Sequence, residues 1–102
     1  MSKGTNGVTY PKITTGTYVG NITVNRAIAH GQDKIPARVM ITDIDDKDSM
    51  IICRGVAYIQ FIANGKYSVT AMDATYFYIG NATSYYGSAN ANDNYNWMAF
   101  SE

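Results

Sequence analysis

Histidine and cysteine, which often serve as catalytic bases, nucleophiles and zinc ligands, occur once each in this 102-residue sequence, as His30 and Cys53. A catalytic triad would have to use His30, but its neighbour Gly31 is more typical of a constrained turn and a structural histidine. Cys53 closes an apolar run and is predicted to be a buried thiol. One cysteine excludes an intramolecular disulfide, and one residue of each type is too few for a zinc site. We therefore expect no enzymatic activity and no cofactor.

Carboxylates are concentrated in the segment 43–48, which holds four aspartates and one lysine. Clustered carboxylates are the ligands that hard cations such as Ca²⁺ prefer. The EF-hand pattern is absent, because Lys47 takes the place of a third ligand and neither the glycine nor the closing glutamate follows. The pattern favours a solvated turn over a cation site. It also lacks the two carboxylates in contrasting environments that glycoside hydrolysis requires.

The segment 84–95 is rich in tyrosine, serine, glycine and asparagine, the adaptable contact residues of binding loops. Tyrosine rings can stack on sugar rings, and asparagine and aspartate can hydrogen-bond to hydroxyl groups. Two interpretations stay open: a ligand-binding loop, or a long polar hairpin loop whose tyrosines pack on their own sheet. The candidate ligand-binding residues are Tyr85, Tyr86, Asn90, Asn92, Asp93 and Asn94.

The composition favours strands over helices. Leucine is absent and Glu102 is the single glutamate, although both residue types are strong helix formers. In their place are 11 isoleucines, 6 valines, 10 threonines and 9 tyrosines, which suit a pleated sheet. The formal net charge is zero, so the basic surplus that nucleic-acid binding requires is missing. These observations exclude a helical bundle and predict no nucleic-acid partner.

Short β-prone runs recur about every ten residues, separated by turn residues. The predicted strands are 17–19, 22–29, 38–44, 49–54, 56–62, 67–72, 75–79 and 95–100. This spacing predicts an all-β fold, an antiparallel β-sandwich (jelly-roll-like or a small barrel) of seven to eight short strands. Residues 16–102 would form this single domain, behind an extended or mobile N-terminal arm, residues 1–15. No signal peptide and no membrane-spanning apolar segment is apparent.

Three stretches of the sequence, taken in order, look familiar. They are Ile-Ala-His-Gly at 28–31 with Pro-Ala-Arg-Val-Met-Ile-Thr at 36–42, Val-Thr-Ala-Met-Asp-Ala-Thr-Tyr-Phe at 69–77, and Tyr-Asn-Trp-Met-Ala at 95–99. Together they resemble a small β-sandwich domain of tailed-phage virion proteins, which often ends tail-fibre, head-fibre or other appendage chains. The resemblance covers roughly residues 16–100 and brings no catalytic residue with it. The family usually has a second glycine or a leucine soon after His-Gly, where this sequence has residues 32–34.

The resemblance implies a non-enzymatic virion structural protein that decorates the capsid or forms part of a surface appendage, in contact with the host. Such a protein would be made in the bacterial host cytoplasm and located in the virion. We expect a homo-oligomer, with a trimer favoured, and an arm, residues 1–15, that binds other virion proteins. The alternative is a carbohydrate-binding, lectin-like module that uses the loop 84–95 to bind a host-surface glycan.

Overall fold

The structure is a computed structural model, and it describes residues 12–62 and 65–102. These residues form eight strands and no helix. The strands are β1 (Ile13–Val19), β2 (Arg26–Ala29), β3 (Arg38–Asp43), β4 (Asp48–Cys53), β5 (Tyr58–Phe61), β6 (Lys66–Ser68), β7 (Tyr76–Ile79) and β8 (Asn94–Phe100). The all-β fold class is therefore confirmed, and each predicted strand overlaps an observed one.

The strands form two antiparallel sheets. The larger sheet has six strands in the order β1-β8-β3-β4-β5-β6, and the smaller sheet pairs β2 with β7. Strand β8, at the end of the described chain, is inserted between β1 and β3 and joins segments distant in sequence. The arrangement is that of a small β-sandwich, with six strands in one sheet and two in the other.

The core follows the alternation of the strands, because successive side chains of a strand point to opposite faces. In β8, Tyr95, Trp97 and Ala99 are buried while the residues between them are exposed. The small sheet contributes Phe77, whose ring meets the Trp97 ring edge to face, with centroids 5.4 Å apart. This contact joins the two sheets. The buried hydrophobic residues are Tyr18, Val39, Ile41, Met50, Ile52, Ile59, Phe61, Val69, Met72, Phe77, Ile79, Ala89, Tyr95, Trp97 and Ala99.

Only the second half of the predicted strand 22–29 is confirmed, as β2. Residues 22–25 are not a strand: residues 24 and 25 form a turn, Ile22 and Asn25 have positive φ angles of 56° and 50°, and β2 begins only at Arg26. The backbone N–H of Asn25 donates to the carbonyl of Gly80 at 3.0 Å instead of pairing in a strand ladder. Val24, an apolar residue of the predicted strand, is therefore 53% exposed.

The boundary of the predicted N-terminal arm also differs. Strand β1 begins at Ile13, so residues 13–15 pair with β8 and belong to the domain. Residues 1–11 of the arm lie outside the described residues.

The prediction that Cys53 is buried is wrong. Cys53 ends β4 and is exposed, because the alternation places Ile52 in the core and Cys53 on the outward face. The apolar run 50–53 is a strand with two faces, not a fully buried segment. The described part of the chain contains no helix long and apolar enough to cross a membrane.

Candidate functional site

The single histidine, His30, is a structural residue at the end of β2. It is fully buried, and its Nε2 lies 2.9 Å from the carbonyl oxygen of Asp73. Its Nδ1 accepts the backbone N–H of Gln32 at 3.1 Å. A ring nitrogen that accepts carries no proton, so the other, Nε2, donates to Asp73. Both nitrogens are thus engaged with the backbone, which confirms the predicted structural role.

The tyrosine- and asparagine-rich loop folds into a compact turn. The backbone N–H of Asn90 donates to the carbonyl of Tyr85 at 2.8 Å, and that of Ser88 donates to the carbonyl of Ser84 at 3.1 Å. The Ser84 hydroxyl accepts the backbone N–H of Gly87 at 2.9 Å. These local bonds draw residues 84–90 against the domain and do not leave an open loop.

Asn90, predicted as a ligand-binding residue, is fully buried and holds residues 21–23 in place. Its side-chain amide donates to the Thr23 carbonyl at 2.8 Å and to Asn21 Oδ1 at 3.1 Å. Its Oδ1 accepts the backbone N–H of Asn21 at 3.1 Å. The polar atoms of Asn90 are therefore used inside the protein, and a ligand-binding role for this residue stays a prediction.

The other predicted ligand-binding residues lie in different environments. The half-buried Tyr86 ring packs edge to face on Phe61, with centroids 5.4 Å apart. Tyr85 is half-buried and Asn92 is exposed. Asp93 and Asn94 lie against the β3–β4 turn, described below. Carbohydrate binding at this loop, and the part of the six candidate residues in it, stays a prediction.

A second cluster of polar side chains is built around the turn between β3 and β4. Asp43 ends β3, and its Oδ1 accepts the backbone N–H groups of Asp45 at 3.0 Å and Asp46 at 3.1 Å. The backbone N–H of Lys47 donates to the Asp43 carbonyl at 2.7 Å, with Lys47 at a φ of 61°. An aspartate that accepts backbone N–H groups two and three residues ahead stabilises such a turn.

The segment that leads into β8 is bound to this turn. The backbone N–H of Ile44 donates to the carbonyl of Asn94 at 2.9 Å. Asp45 Oδ2 in turn accepts the backbone N–H of Asn94 at 2.8 Å. Asp93 is thereby brought next to the turn, where Asp43, Asp46 and Asp93 each offer a carboxylate oxygen within 4.8 Å of the others. We call these three residues the aspartate cluster.

The prediction of a solvated turn holds for residues 44–47, which are exposed, and fails at Asp43. Asp43 is only 1% exposed, and its Oδ2 has no hydrogen-bond partner among the described residues. Contact with Asp43, desolvation and then the charge of Asp46 raise the pKa of Asp93 to about 7. Burial, followed by the charges of the same aspartates, raises the pKa of Tyr95. Three carboxylates therefore share a site in which a negative charge is unfavourable.

The sequence contains one indication of the aspartate cluster, although counting acidic residues does not reveal it. In β3 the buried positions are Val39, Ile41 and Asp43, so the alternation carries Asp43 onto the core face. Asp93 has no comparable signal, because it joins the turn only through the pairing of β8 with β3.

Comparisons with known proteins add no functional assignment: the chain matches no protein-family model, no curated protein and no solved structure. The chemistry of the site itself is limited. The aspartate cluster contains oxygen ligands alone, with neither an imidazole nor a thiol. Such a set suits a hard cation and not the tetrahedral nitrogen and sulfur sites typical of zinc.

Proposed function

We propose that this chain is a non-enzymatic structural protein of a phage virion, where it decorates the capsid or forms part of a surface appendage. The observation that carries the proposal is the way in which the three stretches resembling the phage domain meet. If the chain shares the fold of that domain, the three stretches, which are distant in sequence, must contact one another and form one framework. Chance sequence matches would not be expected to contact one another.

The first and second stretches meet along the small sheet. Ile28 of β2 pairs with Phe77 of β7, and the backbone N–H of His30 donates to the carbonyl of Thr75 at 3.1 Å. The His30 ring adds the bond to the Asp73 carbonyl. The His-Gly and Asp-Ala-Thr segments are therefore one bonded unit.

The third stretch meets the others through the core. The ring of Phe77 contacts that of Trp97, and Ile41 pairs with Trp97 in the large sheet. Next to His30, the Gln32 side chain donates to the carbonyl of Ala99 at 3.0 Å. The residues that carry the resemblance thus connect the two sheets, and their roles are structural ones.

The outward surface of the large sheet supports a role in assembly. Met40 and Met98 face each other across β3 and β8, and they are 42% and 44% exposed. Ile51 follows Met40 in the same row of the sheet. We call Met40, Ile51 and Met98 the methionine face. Beside it, β1 is an edge strand of the large sheet, and unpaired edge strands readily pair with other chains.

A second copy of this chain is the partner that we propose for the methionine face, in a homo-oligomer for which a trimer is favoured. Virion surface proteins are commonly symmetric assemblies, and closed symmetry uses the same patch on every subunit. An apolar row flanked by an edge strand can be covered by the same row of a neighbouring subunit. Other virion proteins would then bind outside this face, with the N-terminal arm as the proposed contact.

The decisive experiment is mass spectrometry of purified particles of the phage whose genome encodes this chain. We expect peptides of the chain at a constant ratio to the major capsid protein through successive density gradients. Their absence from the particles, with the protein present in the infected cell, would reject the proposed virion location.

Multi-angle light scattering tests the oligomer separately. We expect the purified chain to exceed the monomer mass, and the double variant Met40→Lys, Met98→Lys to elute as a monomer. The matched control is Val24→Lys, which places a lysine at an equally exposed apolar residue outside the strands. A wild-type chain that stays monomeric at every concentration, or a Val24→Lys variant that dissociates equally, would reject this interface.

A further inference from the structure

We propose that the aspartate cluster, Asp43, Asp46 and Asp93, is a binding site for one divalent cation, with Ca²⁺ as the favoured ion. The proposal is independent of the virion role. It rests on the geometry of the three carboxylates and on one buried oxygen atom that the protein itself leaves without a partner.

The buried oxygen is Oδ2 of Asp43. The Asp43 side chain is 1% exposed, and its Oδ1 already accepts two backbone N–H groups, whereas its Oδ2 has no hydrogen-bond partner within residues 12–62 and 65–102. A buried polar atom without a partner is costly, and a buried charge costs more still unless it is paired or bound to a metal. The Asp43 carboxylate faces those of Asp46 and Asp93, so the missing partner would lie among these three groups.

The spacing of the oxygens fits a calcium ion. Calcium binds oxygen at about 2.3–2.6 Å, so two oxygens on one ion can be separated by up to about 5 Å. The oxygens of the three aspartates lie within 4.8 Å of one another. Magnesium binds at about 2.0–2.1 Å in strict octahedral geometry, which limits the separation to about 4.2 Å. Calcium is therefore accommodated at any separation up to 4.8 Å, with water completing its shell on the exposed Asp46 side.

The aspartate cluster contains carboxylates alone, and Lys47, the basic residue of the turn that carries Asp43 and Asp46, is exposed. A proton shared between Asp43 and Asp93 is the competing arrangement, since the two carboxylates contact each other. A proton satisfies one pair of oxygens only, whereas a cation satisfies all three carboxylates at once.

A bound cation would join two parts of the fold. Asp43 and Asp46 belong to the β3–β4 turn, and Asp93 precedes β8, some 50 residues later in the sequence. The backbone bond from Ile44 to Asn94 already connects these segments. An ion at the cluster would tighten the same connection, as metal-bound loops of surface proteins do.

The test uses the full chain, first depleted of metal with a chelator, and calcium chloride as the ligand. Isothermal titration should give one Ca²⁺ per chain. With three carboxylates and an open side, a Kd of about 10⁻⁴–10⁻³ M is expected, the range of weak extracellular calcium modules. Tb³⁺, a calcium substitute, should luminesce on tyrosine excitation, because Tyr95 of β8 is paired with Asp43 of β3.

Two variants make the test specific. Asp93→Asn keeps the shape of a half-buried residue, removes one charge, and should weaken Ca²⁺ affinity at least about tenfold and abolish Tb³⁺ luminescence. Asp33→Asn is the matched control, since Asp33 is an exposed aspartate that precedes β3 at its opposite end. It should bind Ca²⁺ like the wild type.

Three outcomes would overturn the proposal. They are the absence of binding up to about 10 mM Ca²⁺, ten times the weakest affinity expected, equal binding by Asp93→Asn and the wild type, and equal loss in Asp33→Asn. Failure of Asp93→Asn to fold would be visible by circular dichroism, and Asp46→Asn, at an exposed position, then serves as the second variant. If a proton shared between Asp43 and Asp93 occupies the cluster instead, Ca²⁺ should give no heat of binding and Tb³⁺ no luminescence. This result corresponds to the first of the three outcomes.

Discussion

The indole ring of Trp97 in β8 lies directly against the backbone of Gly16 in β1. The two residues are paired in the sheet, and a Cβ atom on Gly16 would lie 2.5 Å from Cζ2 of the indole. Trp97 is only 6% exposed even though it is next to the edge strand, and its ring also contacts Phe77 of the smaller sheet. A side chain at residue 16 would occupy the space of the ring that closes this side of the core.

Gly16→Ala is therefore expected to destabilise the domain by about 1–3 kcal/mol, the usual cost of overpacking. Urea unfolding followed by circular dichroism measures the change. Thr17→Ala, at the exposed neighbouring position of β1, should change the free energy of unfolding by less than about 0.5 kcal/mol. The Trp97→Phe background should reduce the cost of Gly16→Ala, because the smaller ring leaves room for the methyl group. Equal costs in both backgrounds would show that Trp97 is not the obstacle.

His30→Ala should destabilise the domain strongly without changing its surface. The substitution leaves the Gln32 N–H and the Asp73 carbonyl without their imidazole partner. Each buried group left unsatisfied costs about 1–3 kcal/mol, so a total loss of at least about 2 kcal/mol is expected in urea unfolding. Proton–nitrogen NMR correlation of the wild-type imidazole should show the proton on Nε2. A proton on Nδ1 would contradict the hydrogen bonds described here.

Asn90 and Asn92 should behave differently when each is replaced by alanine. Asn90→Ala removes buried hydrogen bonds to Asn21 and Thr23 and should lower the free energy of unfolding by about 1–3 kcal/mol. Asn92→Ala alters an exposed side chain and should be nearly neutral for stability. Thermal unfolding of both variants measures the contrast. A neutral Asn90→Ala would indicate that this residue is free to contact a ligand after all.

Stability should fall in alkaline solution because of two stacked tyrosines. The rings of Tyr18 and Tyr95 lie 4.9 Å apart, and the Tyr18 hydroxyl donates to the Ala89 carbonyl at 2.6 Å. Burial raises the pKa of both hydroxyls in the folded state. Above about pH 10 the unfolded chain loses these protons while the folded chain retains them, so the folded state is disfavoured as pH rises.

Because of Tyr18, the free energy of unfolding should fall by up to about 1.4 kcal/mol per pH unit above about pH 10, and the stability should be fully present below that pH. Urea unfolding between about pH 8 and pH 11 measures it. Tyr18→Phe should have a smaller slope together with a lower stability at neutral pH, since the bond to Ala89 is lost. Tyr58→Phe, a half-buried tyrosine of β5, is the control. A slope unchanged by Tyr18→Phe would contradict the assignment.

Much of the fold could be predicted from local pattern. In β8 the buried residues Tyr95, Trp97 and Ala99 alternate with exposed ones, and this period-two pattern is visible in the sequence. The same pattern in β3 predicts Val39 and Ile41 in the core. The failures lie where backbone conformation overrides it. Ile22 has a positive φ and is not in a strand.

The candidate site was harder to predict. The six ligand-binding candidates were chosen because their residue types suit a binding loop, but Asn90 is turned inward and Tyr86 packs on Phe61. The orientation of both side chains depends on which residues pack against the loop, and the composition of the loop does not specify those residues. The acidic turn was expected in solvent, yet Asp43, the first of its four aspartates, is buried.

The sequence by itself determined the all-β class and the approximate places of the strands, because each depends on residue type or on period-two alternation within a few residues. Only the tertiary structure decided which strands are neighbours, and with them the meeting of Asp93 with Asp43. That contact follows from the insertion of β8 between β1 and β3. Strand order depends on packing between segments distant in sequence, and no local pattern specifies it.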